Sequence, residues 1–385
     1  MNFYDLLKTR AETFADKIFL RVDDHFKSGE TVWSYKNFLD AVDKNLTVDG
    51  KFITQAVNFF VEQKNNPSNI FAVTTSGSTG TPKILRRTFE SWADFFPTQN
   101  RIFRVDETTK LFMHGNLNFT GNLNAFLATL DAGGTIVTTE KFFPRRWLEL
   151  VRDATAIYLV PTKLVLLTTG APLENIRSIF TGSQVLTKAQ SLSLMKKFPA
   201  AEIFLYYGAS ELSFVTYKKI SADNAGDVQN LGKPFDGVKI FIRDGLIYVD
   251  TKLSVLGVEN PCTVGDAGFV DENGDLIFRG RGEDFINRGG VKIFASAVEN
   301  KLLTIDGVTA AAVTKIPDVT RGENFVAFVV GNVNKKIIRQ ALSPAELPRE
   351  IIFVDELPLN SAGKVDKKLL ESIDTLTKIR PATAT

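Results

Sequence analysis

The sequence feature that most constrains the fold is an alternation of short apolar segments with longer amphipathic ones, from residue 84 to about residue 206. The apolar segments have the length of buried strands and fall at residues 110–113, 135–138, 156–160, 178–181 and 202–206. Helices are predicted between them, at 121–130 and 188–197. Because short apolar strands separated by helices are typical of parallel sheets, the sequence predicts an α/β fold whose large domain has mostly parallel sheets flanked by helices.

The pattern changes after about residue 226. Short strands joined by Gly/Asp turns, at 238–242, 245–249, 268–270 and 275–278, predict a small β-rich subdomain. From about residue 283 onwards, helices and strands alternate in a manner typical of a compact α+β unit. We therefore predict a large N-terminal domain over residues 1–282 and a small C-terminal domain over residues 283–385.

Composition excludes several classes of protein. The 46 basic residues are scattered among 44 acidic ones, so we expect neither nucleic acid nor a membrane surface as a partner. Pairs such as Arg86-Arg87 are predicted to mark solvated faces or anion contacts. A single cysteine and two histidines exclude an internal disulfide and a Cys/His zinc cluster. Charges interrupt the N-terminal segment and no apolar run reaches membrane-spanning length, so a cytoplasmic location is expected.

The stretch Thr74-Thr75-Ser76-Gly77-Ser78-Thr79-Gly80-Thr81-Pro82-Lys83 follows a short apolar segment at 70–73 that is predicted to be a buried strand. Glycines let successive N–H groups converge on one anion, hydroxyls add rotatable donors, and Lys83 adds a positive charge. The stretch predicts a polyphosphate cradle, with an unliganded surface loop as the alternative. It is not a Walker loop, because Pro82 precedes the lysine and Ile84 follows it.

A second motif, Tyr206-Tyr207-Gly208-Ala209-Ser210-Glu211, follows a predicted strand and is therefore expected at the carboxyl edge of the sheet, where α/β folds bind ligands. An aromatic ring there can stack on a purine, and a carboxylate can bind Mg²⁺ that bridges phosphates. A core tyrosine beside a solvated glutamate is the alternative. Further along, Asp266 in Val-Gly-Asp and Arg281 in Gly-Arg-Gly form a carboxylate and guanidinium pair suited to ribose hydroxyls, or else two ordinary turns.

Taken in order, these motifs resemble those of the adenylate-forming, or AMP-binding, enzymes: acyl- and aryl-CoA synthetases, carrier-protein-loading adenylation domains and beetle luciferases. The resemblance runs from about Thr74 to Lys368. It implies that Tyr207 faces adenine, that Ser210 lies near the α-phosphate, that Glu211 binds magnesium and that Asp266 and Arg281 hold the ribose. It also implies an ATP site formed by Thr75, Ser76, Gly77, Ser78, Thr79, Gly80, Lys83, Gly182, Ser183 and Gly208.

The resemblance extends into the C-terminal unit. Pro358 to Lys368 is similar to the family's catalytic lysine loop, so that Lys364 would lie between the substrate carboxylate and the α-phosphate. Glu283 falls at the hinge position, which implies a mobile C-terminal domain. The Gly289-Gly290 loop is then expected to face the thiol of coenzyme A. Glu283 and Lys292 both depart from the residues commonest at their positions in the family.

The sequence specifies the acid substrate less closely than it specifies the type of reaction. His114 falls where amino-acid-activating relatives place an aspartate, and a histidine is commoner in aryl- and acyl-CoA synthetases, including o-succinylbenzoate–CoA ligase; a packed histidine is the alternative. The chain before Thr74 is short for the family, so the resemblance does not extend to the walls of the acid pocket or to a dimer surface. The alternatives to a coenzyme A ligase are an enzyme that loads a carrier protein, which a basic docking face around Lys315 and Arg321 would favour, and a degenerate nucleotide-binding protein.

Overall fold

The computed structural model describes residues 1–24, 29–66, 68–75, 83–281, 285–359 and 365–370, with only the backbone described at Asp24 and Lys292. The strands and helices of the larger part of the chain are α1 (Phe3–Thr13), β1 (Ile18–Asp24), β2 (Gly29–Ser34), α2 (Tyr35–Asp43), α3 (Lys51–Asn65), β3 (Ile70–Thr74), β4 (Ile84–Thr88), α4 (Glu90–Ala93), α5 (Phe96–Phe103), β5 (Lys110–Met113), α6 (Thr120–Asp131), β6 (Thr135–Thr139), α7 (Pro144–Leu150), β7 (Ala156–Tyr158), α8 (Pro161–Leu164), β8 (Ser178–Gly182), α9 (Lys188–Lys197), β9 (Glu202–Ala209), β10 (Ser213–Ile220) and β11 (Lys233–Pro234).

The remaining elements form the β-rich region and the C-terminal unit. They are β12 (Lys239–Arg243), β13 (Leu246–Asp250), β14 (Asp266–Val270), β15 (Leu276–Arg281), β16 (Phe285–Arg288), β17 (Val291–Phe294), α10 (Ala295–Leu303), β18 (Val308–Asp318), β19 (Gly322–Gly331), α11 (Lys335–Ala341) and β20 (Glu350–Phe353).

The largest sheet has the strand order β11-β10-β9-β8-β7-β5-β6-β1-β2. Its central strands from β9 to β1 run parallel, and antiparallel strands complete both edges. Successive residues of β5 point into different cores, because Leu111 and Met113 belong to one apolar cluster and Phe112 to another. Both faces are therefore covered, as the near-continuous apolar strands predicted. The predicted α/β class is confirmed.

Strands β3 and β4 form a separate two-stranded hairpin, not part of the large sheet. The prediction of a buried strand at 70–73 is wrong on burial, because burial alternates along the strand: Phe71 and Val73 are buried and Ile70 and Ala72 are exposed. The same alternation in β4 corrects the expectation for one arginine. Arg86 is exposed as predicted, whereas the Arg87 side chain is completely buried.

The two predicted smaller regions are also present. Strands β12 to β15 form a four-stranded antiparallel sheet in sequence order. The C-terminal unit is a sheet of order β17-β16-β19-β18, in which β20 pairs in parallel with β19 and helices α10 and α11 pack on one face. The position of the domain boundary at 282/283 stays a prediction. Across the described part of the chain, no helix has both the length and the apolar character that crossing a membrane requires.

Candidate active site

Four parallel strands, β5, β7, β8 and β9, end at the same edge of the large sheet. The residues that follow them include His114 after β5, Ser183 after β8 and Ser210 after β9. This is the edge at which open α/β sheets bind ligands, in the crevice beyond the carboxyl ends of the strands. His114, Ser183 and Ser210 thus lie at this edge, and other sequence-predicted site residues are joined to it by the contacts described below.

The β3–β4 hairpin carries the two ends of the predicted phosphate loop. Thr75 N–H donates to the Lys83 carbonyl at 3.0 Å, and Lys83 N–H donates to Thr75 Oγ1 at 3.2 Å. The Lys83 side chain is exposed. The structure therefore brings Thr75 and Lys83 together, while the predicted ligands Ser76, Gly77, Ser78, Thr79 and Gly80 lie outside the described residues.

A chain of hydroxyl contacts joins this hairpin to the tyrosine motif. Thr74 Oγ1 donates to the Asn118 carbonyl at 2.7 Å, and Thr120 Oγ1 lies 3.3 Å from the Thr74 carbonyl. The same Thr120 hydroxyl contacts Ser210 Oγ at 3.1 Å. Thr120, at the start of α6, was not singled out in the sequence. Its only signal was its place directly after the loop that follows β5.

The turn that carries Ser210 and Glu211 is the tight connection between β9 and β10. A Cβ atom at Gly208 would lie 2.0 Å from the Ser213 carbonyl oxygen, so only glycine permits this close approach of the two strands. Ser213 itself has a φ of +64°, and its hydroxyl accepts from Trp92 Nε1 at 3.1 Å. The turn is thus fixed by backbone packing before any ligand is considered.

Arg87 supports this turn from within the protein. Its guanidinium donates to the carbonyls of Ser210 and Leu253. Burial lowers the pKa of Arg87, and the nearby negative charge of Glu211 opposes that shift. Val255 N–H donates to the Glu211 carbonyl at 2.9 Å, so the backbone of Glu211 is held as well. Arg87 is a positioning residue that the sequence did not reveal, because an Arg-Arg pair is usually solvated.

Tyr207 and Asp266 meet although they are 59 residues apart. Tyr207 Oη donates to Asp266 Oδ2 at 2.5 Å, and Arg281 Nε lies 3.4 Å from Asp266 Oδ1. Strands β14 and β15 cause the second contact, because they pair Asp266 directly with Arg281. Burial, followed by the charge of Asp266, raises the pKa of Tyr207 well above its usual value, which keeps the hydroxyl protonated as a donor.

The turn after β8 is shaped by another tyrosine. A Cβ atom at Gly182 would lie 2.6 Å from the Tyr206 ring, so glycine allows the ring to pack directly on the backbone. Ser183 follows with a φ of +69°. Tyr206 Oη and Tyr158 Oη are 3.2 Å apart, and burial raises the pKa of Tyr158 to about 12. Gly182 and Ser183 therefore line a packed, neutral aromatic wall next to the tyrosine motif.

His114 is half-buried at the end of β5. Its ring packs against Trp147, with centroids 4.7 Å apart, and Nδ1 lies 3.3 Å from Lys163 Nζ. Burial, followed by the Lys163 charge, lowers the pKa of His114 to about 3. The imidazole is therefore neutral at physiological pH. This arrangement holds the His114 ring between Trp147 and Lys163 and makes it unsuited to acid catalysis near neutral pH.

Glu211 is suited to bind a Mg²⁺ ion whose other ligands are phosphates and water. Across the described ranges, no group of three His, Cys, Asp or Glu residues could hold a metal ion. Mg²⁺ at a nucleotide site usually takes one or two carboxylates and completes its shell with phosphates and water. A single half-buried carboxylate, on the residue that follows Ser210, fits that pattern, and it does not fit an ion held by protein ligands alone.

In the C-terminal unit, the turn between β16 and β17 contains Gly289 and Gly290. Gly289 lines a cavity of about 380 Å³ together with Arg288, Val291, Ile293, Arg321, Pro344 and Ala345. Arg288 donates to the carbonyl of Leu347 at 2.7 Å, which fixes its guanidinium against the unit. Lys364 lies outside the described residues, as do Glu283 and the rest of residues 360–364. Leu359 and Val365, on either side of that segment, pair in an antiparallel bridge.

Comparison with known proteins defines the class. The sequence profile of the AMP-binding enzyme family matches residues 8–252, and the profile of the AMP-binding enzyme C-terminal domain matches residues 297–364. The chain therefore belongs to the AMP-binding enzyme family. This confirms the resemblance inferred from the motifs and, at the level of the family, the expectation of an enzyme that forms adenylates.

Particular relatives narrow the class. The chain is 33% identical over 316 residues to an uncharacterized acyl–CoA ligase, YhfT, of Bacillus subtilis; the match covers 76% of this chain and 66% of that protein. It is 28% identical over 376 residues to the vibriobactin-specific 2,3-dihydroxybenzoate–AMP ligase of Vibrio cholerae, covering 85% and 69%. The chain thus spans about two thirds of the length of these curated relatives.

Among solved structures, the o-succinylbenzoate coenzyme A synthetase (MenE) of Bacillus subtilis, in complex with ATP and magnesium ion, has a similar fold. The TM-score is 0.76 at 18% identity, covering 95% of this chain and 99% of that chain. At this identity the comparison supports the fold alone. It agrees with the α/β architecture described above.

Proposed function

We propose that the chain is an AMP-forming acid–thiol ligase that converts an aryl or fatty acid, o-succinylbenzoate among the candidates, into its coenzyme A thioester. One observation carries the proposal: the contacts Thr74–Thr120–Ser210 join the base of the phosphate loop to the tyrosine motif at the ligand-binding edge of the sheet. The pair Tyr207 and Asp266 lies beside this junction. Relatives named as acyl–CoA and aryl acid–AMP ligases support the reaction class.

In the first step, the substrate carboxylate attacks the α-phosphorus of ATP. A carboxylate oxygen–phosphorus bond forms, and the bond to the leaving pyrophosphate breaks. Asp266 and Arg281 hold the ribose, Tyr207 flanks the adenine, and Lys83 with the loop hydroxyls binds the phosphates. Glu211 would supply an oxygen ligand to Mg²⁺, whose charge would offset that of the phosphates. Lys364 orients the two negatively charged reactants, so catalysis rests on positioning and electrostatics.

In the second step, the thiolate of coenzyme A attacks the carbonyl carbon of the acyl-adenylate, a thioester bond forms, and AMP leaves. This step requires the C-terminal domain, residues 283–385, to turn about Glu283 so that Lys364 withdraws and the Gly289-Gly290 loop faces the thiol. The cavity next to Gly289 supports this part of the proposal, since Arg288 and Arg321 give it a positive lining suited to the phosphates of coenzyme A.

A phosphopantetheine carrier protein is the alternative thiol. Lys315 and Arg321 are both exposed on the C-terminal unit, which favours an acidic partner surface. A degenerate protein that only binds nucleotide is the remaining candidate. The buried contact between Tyr207 and Asp266 concerns the nucleotide site, so it gives no reason to prefer the carrier-protein enzyme or the non-catalytic protein to the ligase.

The test is ATP–pyrophosphate exchange measured across a panel of fatty, aryl and amino acids, followed by thioester formation with coenzyme A or with a phosphopantetheinylated carrier protein. The proposal predicts exchange with an aryl or fatty acid and a thioester with coenzyme A. Exchange with a thioester only on the carrier protein supports the first alternative. ATP binding without exchange for any acid contradicts the ligase assignment.

A further inference from the structure

A half-buried lysine next to His114 is not used by the proposed chemistry. Lys163 lies on the short helix α8, which directly follows β7 at the ligand-binding edge of the sheet. Its ammonium nitrogen lies 3.3 Å from His114 Nδ1 and 3.3 Å from the His114 carbonyl oxygen. A Cβ atom built on Gly115 would be 3.6 Å from the same nitrogen, so this ammonium sits over the backbone that follows β5.

The surroundings of Lys163 do not neutralise its charge. Among the described residues, no Asp or Glu carboxylate forms an ion pair with Lys163. An ammonium has three N–H donors and no acceptor, so its contact with His114 makes Nδ1 the acceptor and leaves the ring proton on Nε2. Burial lowers the pKa of Lys163 without a compensating acidic group. A partly desolvated cation with two neutral acceptors is costly unless an anion joins it.

The position of Lys163 relative to the reacting centre suits the far end of a substrate. Ser210 follows β9 and Lys163 follows β7, and these strands flank β8. Neighbouring strands lie about 4.8 Å apart, so the ends of β7 and β9 are separated by about 10 Å across the sheet edge. The buried Trp147 packs on the His114 ring, with centroids 4.7 Å apart, and the exposed Phe142, whose centroid lies 6.0 Å from the same ring, provides an apolar surface next to His114.

We propose that Lys163, held by His114, determines specificity by binding a second carboxylate at the distal end of the acid, so that the preferred substrates are dicarboxylic acids. This inference rests on the proposed adenylation of an acid and names its substrate class. The reacting carboxylate lies near Ser210, the hydrocarbon or aryl body packs along the aromatic surface, and the distal carboxylate pairs with Lys163.

The test compares each acid of a homologous series of α,ω-dicarboxylic acids, together with o-succinylbenzoate, with the monomethyl ester that blocks its distal carboxylate. The readout is the ratio of kcat/KM for ATP–pyrophosphate exchange between acid and ester. The wild type should favour at least one diacid by about 10- to 100-fold, the value of one charged hydrogen bond. Lys163→Met should bring that ratio close to one, and Lys163→Arg should retain most of it.

Lys197 provides the matched control. It is a buried lysine whose ammonium donates to the carbonyls of Thr169 at 2.7 Å and Ala171 at 2.5 Å, a purely structural arrangement. Lys197→Met should leave the ratio unchanged even if it lowers stability. Because acid and ester are measured on one preparation, the ratio of their kcat/KM values does not depend on the folded fraction. Lys163→Gln serves as a second neutral variant.

The outcomes separate the two proposals. Suppose that the wild type exchanges with monocarboxylic acids and prefers no diacid over its monomethyl ester. This result overturns the role of Lys163 and leaves the ligase proposal standing. A diacid preference that survives in Lys163→Met and Lys163→Gln overturns it as well. Absence of exchange with every acid, monocarboxylic or dicarboxylic, contradicts the proposed adenylation and this inference with it.

Discussion

Tyr207 Oη donates a hydrogen bond of 2.5 Å to Asp266 Oδ2, which joins the strand that carries the tyrosine motif to the small antiparallel sheet. The Asp266 side chain is buried, with 4% of the residue exposed. A buried carboxylate needs hydrogen-bond or charged partners, and the Tyr207 hydroxyl and the Arg281 guanidinium both contact it. We infer that this contact presets Asp266 for the ribose before nucleotide arrives.

Tyr207→Phe removes that donor while keeping the ring. We expect the free energy of unfolding to fall by about 1.5–3 kcal/mol, the range for a hydrogen bond to a charged group, and KM for ATP to rise. Tyr206→Phe is the comparison, since Tyr206 Oη contacts the neutral hydroxyl of Tyr158, and its expected cost is only about 0.5–1.5 kcal/mol. Urea unfolding measures both, and equal losses in the two variants would contradict the assigned difference.

Arg87→Met tests the support of the turn that carries Ser210 and Glu211. The variant leaves the carbonyls of Ser210 and Leu253 without their buried donor, so we expect a loss of about 2–4 kcal/mol in unfolding free energy and weaker nucleotide binding. Arg86→Met is a matched control on the exposed face of the same strand and should change stability by less than about 0.5 kcal/mol. A mild effect at Arg87 comparable with that at Arg86 would refute its positioning role.

His114 makes stability sensitive to acid. Its pKa in the folded protein, about 3, lies below the usual 6.5, so the unfolded chain takes up a proton first as the pH falls. The contribution of His114 to the unfolding free energy is therefore complete above about pH 6.5 and is lost progressively between that pH and about 3. His114→Gln should reduce the fall in stability between pH 7 and pH 5.

The titration itself can be followed by NMR. The Cε1–H resonance that disappears in His114→Gln should show no shift between pH 7.5 and pH 5 in the wild type. A midpoint near 6.5 for this resonance would mean that the imidazole is solvated, and it would remove the basis for its contact with Lys163.

Much of the architecture could be predicted from the sequence, because apolar strands and their separating helices encode it locally. The predicted strand at 110–113 and helix at 188–197 agree with β5 and α9. The burial of Arg87 could not be predicted in the same way. It depends on which face of the β3–β4 hairpin packs against the protein and on carbonyls contributed by residues far along the chain.

The sequence indicated individual site residues, but it did not indicate which of them contact one another. Motif order indicated Tyr207 and Asp266 as ligands of one nucleotide, but not that they contact each other directly. The residue types of Thr120 and Lys163 do not set them apart, since a threonine at a helix start and a lysine after a Pro-Thr pair are ordinary. Their importance arises from strand order, which brings the ends of β5, β7 and β9 to one edge.

The most direct test of the ligase proposal concerns Lys364, measured in the two half-reactions separately. Lys364→Ala should lower the rate of adenylate formation by about 10²- to 10³-fold, the usual effect of removing one electrostatic contact to a developing charge. Thioester formation from preformed acyl-adenylate and coenzyme A should be largely retained, and Lys336→Ala, an exposed lysine of the C-terminal unit, should affect neither step. An equal loss in both half-reactions, or no loss of adenylation, would contradict the account.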